Sequence, residues 1–345
     1  MNKRERKLSV SRDHIAHVIP DLKLSGCLCL ATKIAHELRK QYQHTLIFET
    51  PLLEAQSELY YQVQGYGMDV LQTDLITPAS LEENDFTGVI LYNVTNRPSL
   101  GGVMPSIYYS YGIYDEAVGG VAVACSEYAC DNRRSGPAQD KLLDRELIVP
   151  PMVSTREWRR IKTGKHPFTV GILTSGAYNK YPCRVVMELL GKIPKDVTLL
   201  ITTLPRYSHM GVQLAIDARK QECKNTFTCS PIFGATLRYL ASCDILVYAS
   251  SDDHYEPYGR LVVEAMALGK PVVCENRGVF QQTLEHGVNA FLFNTTDEII
   301  EYINRIRGDS SMVALLGANA QMWASWQDTT VHIGKLKRVL REVGI

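Results

Sequence analysis

DILVYASSDDHYEPYGRLVVEAMALGKPVVC, residues 244–274, spells out a strand, a loop, a helix and the start of a second strand. Asp244–Ser250 is a short apolar run bounded by polar residues, the pattern of a strand buried on both faces. SDDHYEP (251–257) is rich in turn formers and reads as a loop. The helix begins near Gly259, and Gly269 ends it as a C-cap glycine. Pro271 follows, and the next strand, PVVC (271–274), starts at once. A strand–helix–strand unit of this kind joins two parallel strands.

The same alternation runs outward in both directions. Strand patterns fall at 14–20, 44–50, 68–73, 88–95, 106–112 and 120–126, and again at 168–175, 197–203, 227–232, 244–250, 271–274 and 290–293. Between them lie helix-like stretches, which predicts parallel sheets covered by helices on both faces. The chain of 345 residues is long enough for two such domains. We expect an α/β protein of two Rossmann-like, doubly wound domains facing each other across a cleft, residues 1–150 and 151–325. A terminal helix, 326–345, would pack back on the first domain. Leu147–Lys165, with Pro150-Pro151 and the charged STREWRRIKTGK, reads as the linker. Ligands in such folds sit at the carboxyl ends of the strands.

An apolar fraction of 45% and a charged fraction of 21% describe a globular chain. Formal net charge is zero, so no overall field draws nucleic acid, and any anion site has to be built locally. The nine cysteines lack zinc-type spacing and fit buried thiols in a reducing cytoplasm. The basic start, MNKRERKLSVSRD, precedes no apolar run of signal length. It reads as a solvated tail or, alternatively, as a segment attracted to the anionic inner face of a membrane.

From Leu261 to Leu268 every side chain is apolar except that of Glu264. Burying a carboxylate without a partner costs several kcal/mol (about 2–7 even for a neutral polar group), so Glu264 needs donors nearby. A structural partner such as Arg238 or a backbone amide would serve. So would a ligand with two hydroxyls, such as a ribose. At the helix's amino end, Gly259 permits close backbone approach, and the amides of Gly259, Arg260 and Leu261 would attract phosphate oxygens. Anion-binding groups followed by a diol acceptor suit a nucleoside diphosphate lying along the helix.

Glu256, seven residues, then Glu264, set in EPYGRLVVEAMALGKPVV, resembles the paired-glutamate motif of the family 4 retaining glycosyltransferases, which have the GT-B fold. The likeness is strong from Cys243 to Phe293, including CDILVYAS and HGVNAFLF, and weak in the first half. There the loop HVIPDLKLSGCLCLATKIAHEL carries it. The resemblance implies that Glu264 holds the nucleotide ribose and that Glu256 lies beside the donor sugar. It implies that Tyr258, Gly259, Arg260 and Leu261 line the sugar and pyrophosphate, and that Lys180, in GILTSGAYNKYP, neutralises the pyrophosphate. Gly26 matches the glycine-rich loop that approaches donor or acceptor. Eight helical residues span about 12 Å, whereas retaining glycosidases hold their carboxylates about 5 Å apart. The two acids therefore have separate tasks.

The sequence departs from the family in places. Ser175 or Thr174 stands where an arginine is usual, and Arg260 is the candidate replacement. SIYYSYGIYDE lacks the family histidine, leaving Tyr109, Tyr111 or Asp115 as residues that could face the cleft. Gln282 replaces a glutamate, and Ala290 a glycine. Asp252-Asp253 before His254 raises the question of a divalent metal, but the spacing is not the Asp-x-Asp of the other glycosyltransferase fold. No metal or other cofactor is expected. The implied activity moves a sugar from a nucleoside-diphosphate sugar to a hydroxyl of a glycan, a lipid-linked sugar or a small molecule, keeping the anomeric configuration. The alternatives are a non-catalytic sugar-nucleotide-binding protein and an epimerase on the same scaffold. A dinucleotide dehydrogenase is disfavoured, since no strand leads into Gly-x-Gly-x-x-Gly.

Overall fold

The computed structural model describes residues 12–19, 26–48, 57–73, 76–92, 104–110, 121–135, 146–158, 167–174, 180–202, 210–229 and 236–345. The first part of the chain runs β1 (His14–Val18), α1 (Gly26–Leu38), β2 (Gln43–Phe48), α2 (Ser57–Gly65) and β3 (Asp69–Gln72). It continues α3 (Pro78–Glu82), β4 (Gly88–Tyr92), β5 (Ser106–Ser110), β6 (Val121–Ala124), α4 (Glu127–Ser135) and β7 (Glu146–Ile148). These strands form a seven-stranded sheet in the order β3-β2-β1-β4-β5-β6-β7. β1 pairs in parallel with both β2 and β4.

The second part opens with α5 (Thr155–Trp158), β8 (Thr169–Ile172), α6 (Cys183–Lys192), β9 (Thr198–Thr202) and α7 (Met210–Glu222). Then come β10 (Thr226–Cys229), α8 (Thr236–Ala241), β11 (Ile245–Tyr248), α9 (Arg260–Ala267), β12 (Val272–Glu275) and α10 (Val279–Thr283). β13 (Phe291–Phe293), α11 (Thr296–Gly308), α12 (Ser310–Ser325) and α13 (Thr329–Glu342) complete it. The second sheet is six-stranded, in the order β10-β9-β8-β11-β12-β13. Its described pairs are all parallel. The order reverses between β8 and β11, so a crevice forms beyond the carboxyl ends of those two strands.

Alternation along the strands explains why helices cover both faces of this sheet. Ile245, Val247 and Val273 join one core with α6, α7 and α11. Leu246, Tyr248, Val272 and Cys274 point the other way, into a core with α8, α9 and α12. α9 ends as its glycine predicts. Gly269 has φ 71°, its amide bonds to Met266 O at 2.9 Å, and Lys270 N reaches Ala265 O at 3.0 Å. These two bonds are the Schellman closure.

Two compact units emerge, one of Met1–Val123, Gly136–Leu147 and Leu336–Ile345, the other of Ala124–Ser135 and Ile148–Lys335. Ile345, three residues past α13, fills the space left by the missing side chain of Gly88 in β4. The linker expectation needs correcting over 147–158. Val149, Met152, Val153 and Thr155 are buried. Asp328 binds this stretch from across the chain, accepting from Thr155 Oγ1 at 2.7 Å and Arg156 N at 3.2 Å. Residues 159–166 of that stretch lie outside the described residues. Among the described residues no helix is long and apolar enough to cross a membrane.

The first sheet buries a polar chain. His17 Nδ1 lies 2.9 Å from the Tyr92 hydroxyl, and His17 Nε2 lies 2.9 Å from His44 Nδ1. Burial, with the neighbouring histidines, pushes His17 well below the usual imidazole range, and burial likewise lowers His44. In the second unit burial, with Lys335, lowers His332 to about 4. Each folded ring stays neutral while its unfolded counterpart protonates below 6.5. Stability is therefore complete above that pH and falls on acidification, by up to about 1.4 kcal/mol per pH unit for each histidine. Urea unfolding should show a midpoint that drops from pH 7 to pH 5. A flat profile would contradict the buried neutral rings.

Candidate functional site

The β11–α9 loop delivers Glu256 to the crevice. Its Oε2 accepts from the Tyr248 hydroxyl at 2.7 Å, and its Oε1 accepts from the Gly259 amide at 3.1 Å. His254 Nε2 stands 3.6 Å from Oε2. Burial by itself pushes this carboxyl up, but His254, Lys180 and Tyr248 overcome it and bring the pKa down to about 2. Glu256 is thus a half-buried, ionised carboxylate. Gly259 does not offer a free amide, contrary to expectation, because the acid three residues earlier caps the helix. Gly259 holds φ 76°, where a side chain is strained, and a Cβ there would collide with the Phe280 ring, 2.7 Å from Cζ.

Glu264 is buried in α9, and its Oε1 accepts from Arg260 Nε at 2.8 Å. The structural partner is therefore Arg260, one turn back, rather than Arg238. Burial raises the Glu264 pKa, with Arg260 pulling against it. Arg260 also donates from Nη1 to Met152 O at 3.1 Å. Two sides of the guanidinium are thus engaged by the protein, and its task as replacement phosphate cation remains a proposal. Leu261 packs half-buried against the α9 core. Tyr258 is buried, and its hydroxyl donates to Pro151 O at 2.9 Å. The Pro257 carbonyl accepts from Ser126 Oγ at 2.5 Å.

Lys180 follows β8 on the other side of the strand-order reversal. Its carbonyl accepts from Ser251 N at 3.0 Å, and its charge helps to lower the Glu256 pKa. Lys180, Glu256, Gly259, Arg260 and Glu264 thus gather at one end of the second sheet. Ser175, Tyr111 and Asp115 lie outside the described residues. Gly26 is the exposed first residue of α1, in the other unit. Tyr109 is buried and stacks on Tyr92 with ring centroids 6.0 Å apart. Gln282 is exposed on α10, and Ala290 is buried.

Asp252 is bound by Arg184, at 3.0 Å from Nη2 and 3.3 Å from Nε. Among the described residues no group of His, Cys, Asp and Glu is arranged for a metal ion. Sequence reading passed over Tyr248, Glu275 and Arg277. Of these only Glu275 left a signal, an acid closing an otherwise apolar strand.

Residues 234–323, which span this helix and its loops, match the model of the family Glycosyl transferases group 1. That segment of the chain is thus similar to group 1 glycosyltransferases. Residues of this chain are 28% identical over 173 positions to "Probable sucrose-phosphate synthase" of Thermosipho melanesiensis, covering 48% of this chain and 41% of that protein. They are 29% identical over 84 positions to "Alpha-monoglucosyldiacylglycerol synthase" of Acholeplasma laidlawii, covering 24% and 20%. The chain thus spans less than half the length of the curated relatives it matches. Anabaena Alr3699/HepE, solved in complex with UDP-glucose, superposes with a TM-score of 0.75 at 18% identity, over 95% of this chain and 99% of that one. The fold is GT-B, and the matched segment contains both Glu256 and Glu264.

Proposed function

We propose that this protein is a retaining glycosyltransferase that uses a nucleoside-diphosphate sugar as donor and a hydroxyl as acceptor. The observation that carries the reading is the pair of acids around the start of α9, Glu256 accepting from the Gly259 amide and Glu264 buried inside the helix, with pKa values shifted in opposite directions. Glu256 is kept ionised beside Lys180, whereas burial raises the Glu264 pKa in spite of Arg260. An acid that burial leaves under-compensated is suited to two ribose hydroxyls. A lysine beside the helix's amino end is suited to a diphosphate. The UDP-glucose complex of Anabaena HepE supports the donor class, and the relatives' names support sugar chemistry.

In the reaction proposed, the bond from the sugar's anomeric carbon to the diphosphate oxygen breaks as a bond to the acceptor oxygen forms on the same face. The acceptor's proton passes to the departing phosphate oxygen. Charge grows on the diphosphate, where Lys180 and the α9 dipole stabilise it. Glu256 faces the positive charge that develops on the sugar. Family 4 membership and independence of metal ions belong to the same proposal.

Thermal unfolding with UDP, GDP and ADP tests the reading, because a ligand of the folded state raises the melting temperature. One of the three should stabilise the wild type, and Lys180→Ala should remove most of that shift. Loss of one charge-assisted contact to phosphate corresponds to about a tenfold or larger loss of affinity. No stabilisation by any of the three would overturn the proposal.

A further inference from the structure

We propose that Arg277 and Glu275 form a side-chain clamp that sets the position of the Glu256 loop, which makes Arg277 a positioning residue for the reaction. The inference rests on the function proposed above. Glu275, the last residue of β12, is 4% exposed, so its carboxylate needs donors within the protein. It takes them from the far end of the catalytic loop. Ser250 N donates to Oε2 at 3.0 Å, and Ser250 Oγ to Oε1 at 2.6 Å. Arg277 Nε completes the set at 3.0 Å.

The rest of the Arg277 guanidinium is spent on the loop's backbone. Nη2 reaches Ser250 O at 3.0 Å and Ser251 O at 2.6 Å, and Nη1 reaches Asp252 O at 2.9 Å. Three consecutive carbonyls therefore converge on one planar fork, a geometry that a lysine ammonium does not reproduce. Its flat face lies 5.4 Å from the centre of the Tyr255 ring. The same turn holds the loop's other end. Val279 N donates to Glu256 O at 3.0 Å. Gly278 has φ 63°, and a Cβ there would come within 2.9 Å of Glu256 O and 3.1 Å of Glu256 N. Residues 275–279 are thus a mould for residues 250–256. Because Ser251 N also holds Lys180 O, the clamp fixes the spacing between that lysine and Glu256. A cavity of about 180 Å³ opens beside it, lined by Arg184, Asp252 and Asn294 among others. Arg184 pairs with Asp252 and Arg277 with Glu275, so among the described residues the cavity offers no unpaired cation to an anion.

Arg277→Lys keeps the charge and removes the fork. Glu275→Gln keeps the shape and weakens the pairing, and serves if the first variant fails to fold. Hydrogen exchange is followed in peptides covering 249–259 and 260–274. Turnover is measured with whichever of UDP-, GDP- and ADP-glucose the wild type uses, and binding with the matching diphosphate. The clamp predicts at least tenfold faster exchange in 249–259 with little change in 260–274. It also predicts a kcat at least tenfold lower and a diphosphate Kd within threefold of wild type. Unchanged exchange in 249–259, or kcat and Kd changing by the same factor, would overturn it. If the loop loosens while wild type neither binds nor turns over any of the probes, the functional reading fails and the clamp stands as a feature of the fold alone.

Discussion

Glu256→Gln lowers sugar transfer by at least about a hundredfold and leaves nucleoside-diphosphate binding within about threefold. The carboxylate sits where three groups hold it ionised, and its pKa of about 2 keeps it charged throughout the working range of pH. Glutamine has the same size and can still accept from the Gly259 amide, so the αL turn before α9 survives. The lost quantity is the negative charge facing the sugar. An interaction that grows as charge develops lowers kcat when removed, whereas one made equally in the ground state changes KM. Single preorganised electrostatic groups are worth about a hundred- to a thousandfold in kcat. Alanine is the poorer probe, because it strands the Tyr248 hydroxyl that Glu256 now accepts. Steady-state kinetics with isothermal titration of the diphosphate separates the two effects. A parallel fall in binding would move Glu256 from the sugar to the nucleotide.

Glu264→Ala weakens nucleoside-diphosphate binding on the order of a hundredfold, with a smaller effect on turnover at saturating donor. Two hydroxyls bonded to a charged acceptor correspond to about 3 kcal/mol, and about 1.4 kcal/mol is a factor of ten in Kd. The ligand-free protein also loses stability, since the Arg260 guanidinium loses a carboxylate 2.8 Å away. Glu264→Gln separates these contributions, because the amide oxygen still accepts from Arg260 while one acceptor for the ribose is gone. It should bind more weakly than wild type yet melt closer to it than Glu264→Ala does. Titration calorimetry and thermal unfolding are the measurements. An unchanged Kd in both variants would reduce Glu264 to the partner of Arg260.

Some of this was legible before any coordinates. The strand at 245–248, the helix at 260–267 and the strand at 272–275 follow from apolar runs separated by Gly259, Gly269 and Pro271. Such signals are local, because a glycine at positive φ or a proline after a C-cap acts on its own backbone. The interest of Glu264 was equally local, an acid in an apolar helix. Other features depend on residues far apart in the chain. Leu147–Lys165 looked like a linker from its prolines and charges, yet its first half is buried because Asp328 caps it across more than 170 positions. Ser126 and α4 likewise belong with the second unit, through the Pro257 carbonyl.

Alone, the order of residues determined a chain of parallel α/β elements and singled out Glu264, since periodicity, caps and a lone acid are written within a few turns of backbone, while Glu256 was marked by the resemblance to the paired-glutamate motif. Tertiary structure decided what surrounds those acids: Tyr248 and the Gly259 amide on Glu256, Arg260 on Glu264, and Arg277 with Glu275 beneath the loop. The reason is physical. A buried charge is made tolerable by whichever donors folding brings within hydrogen-bond distance, and that choice is made between strands rather than along them.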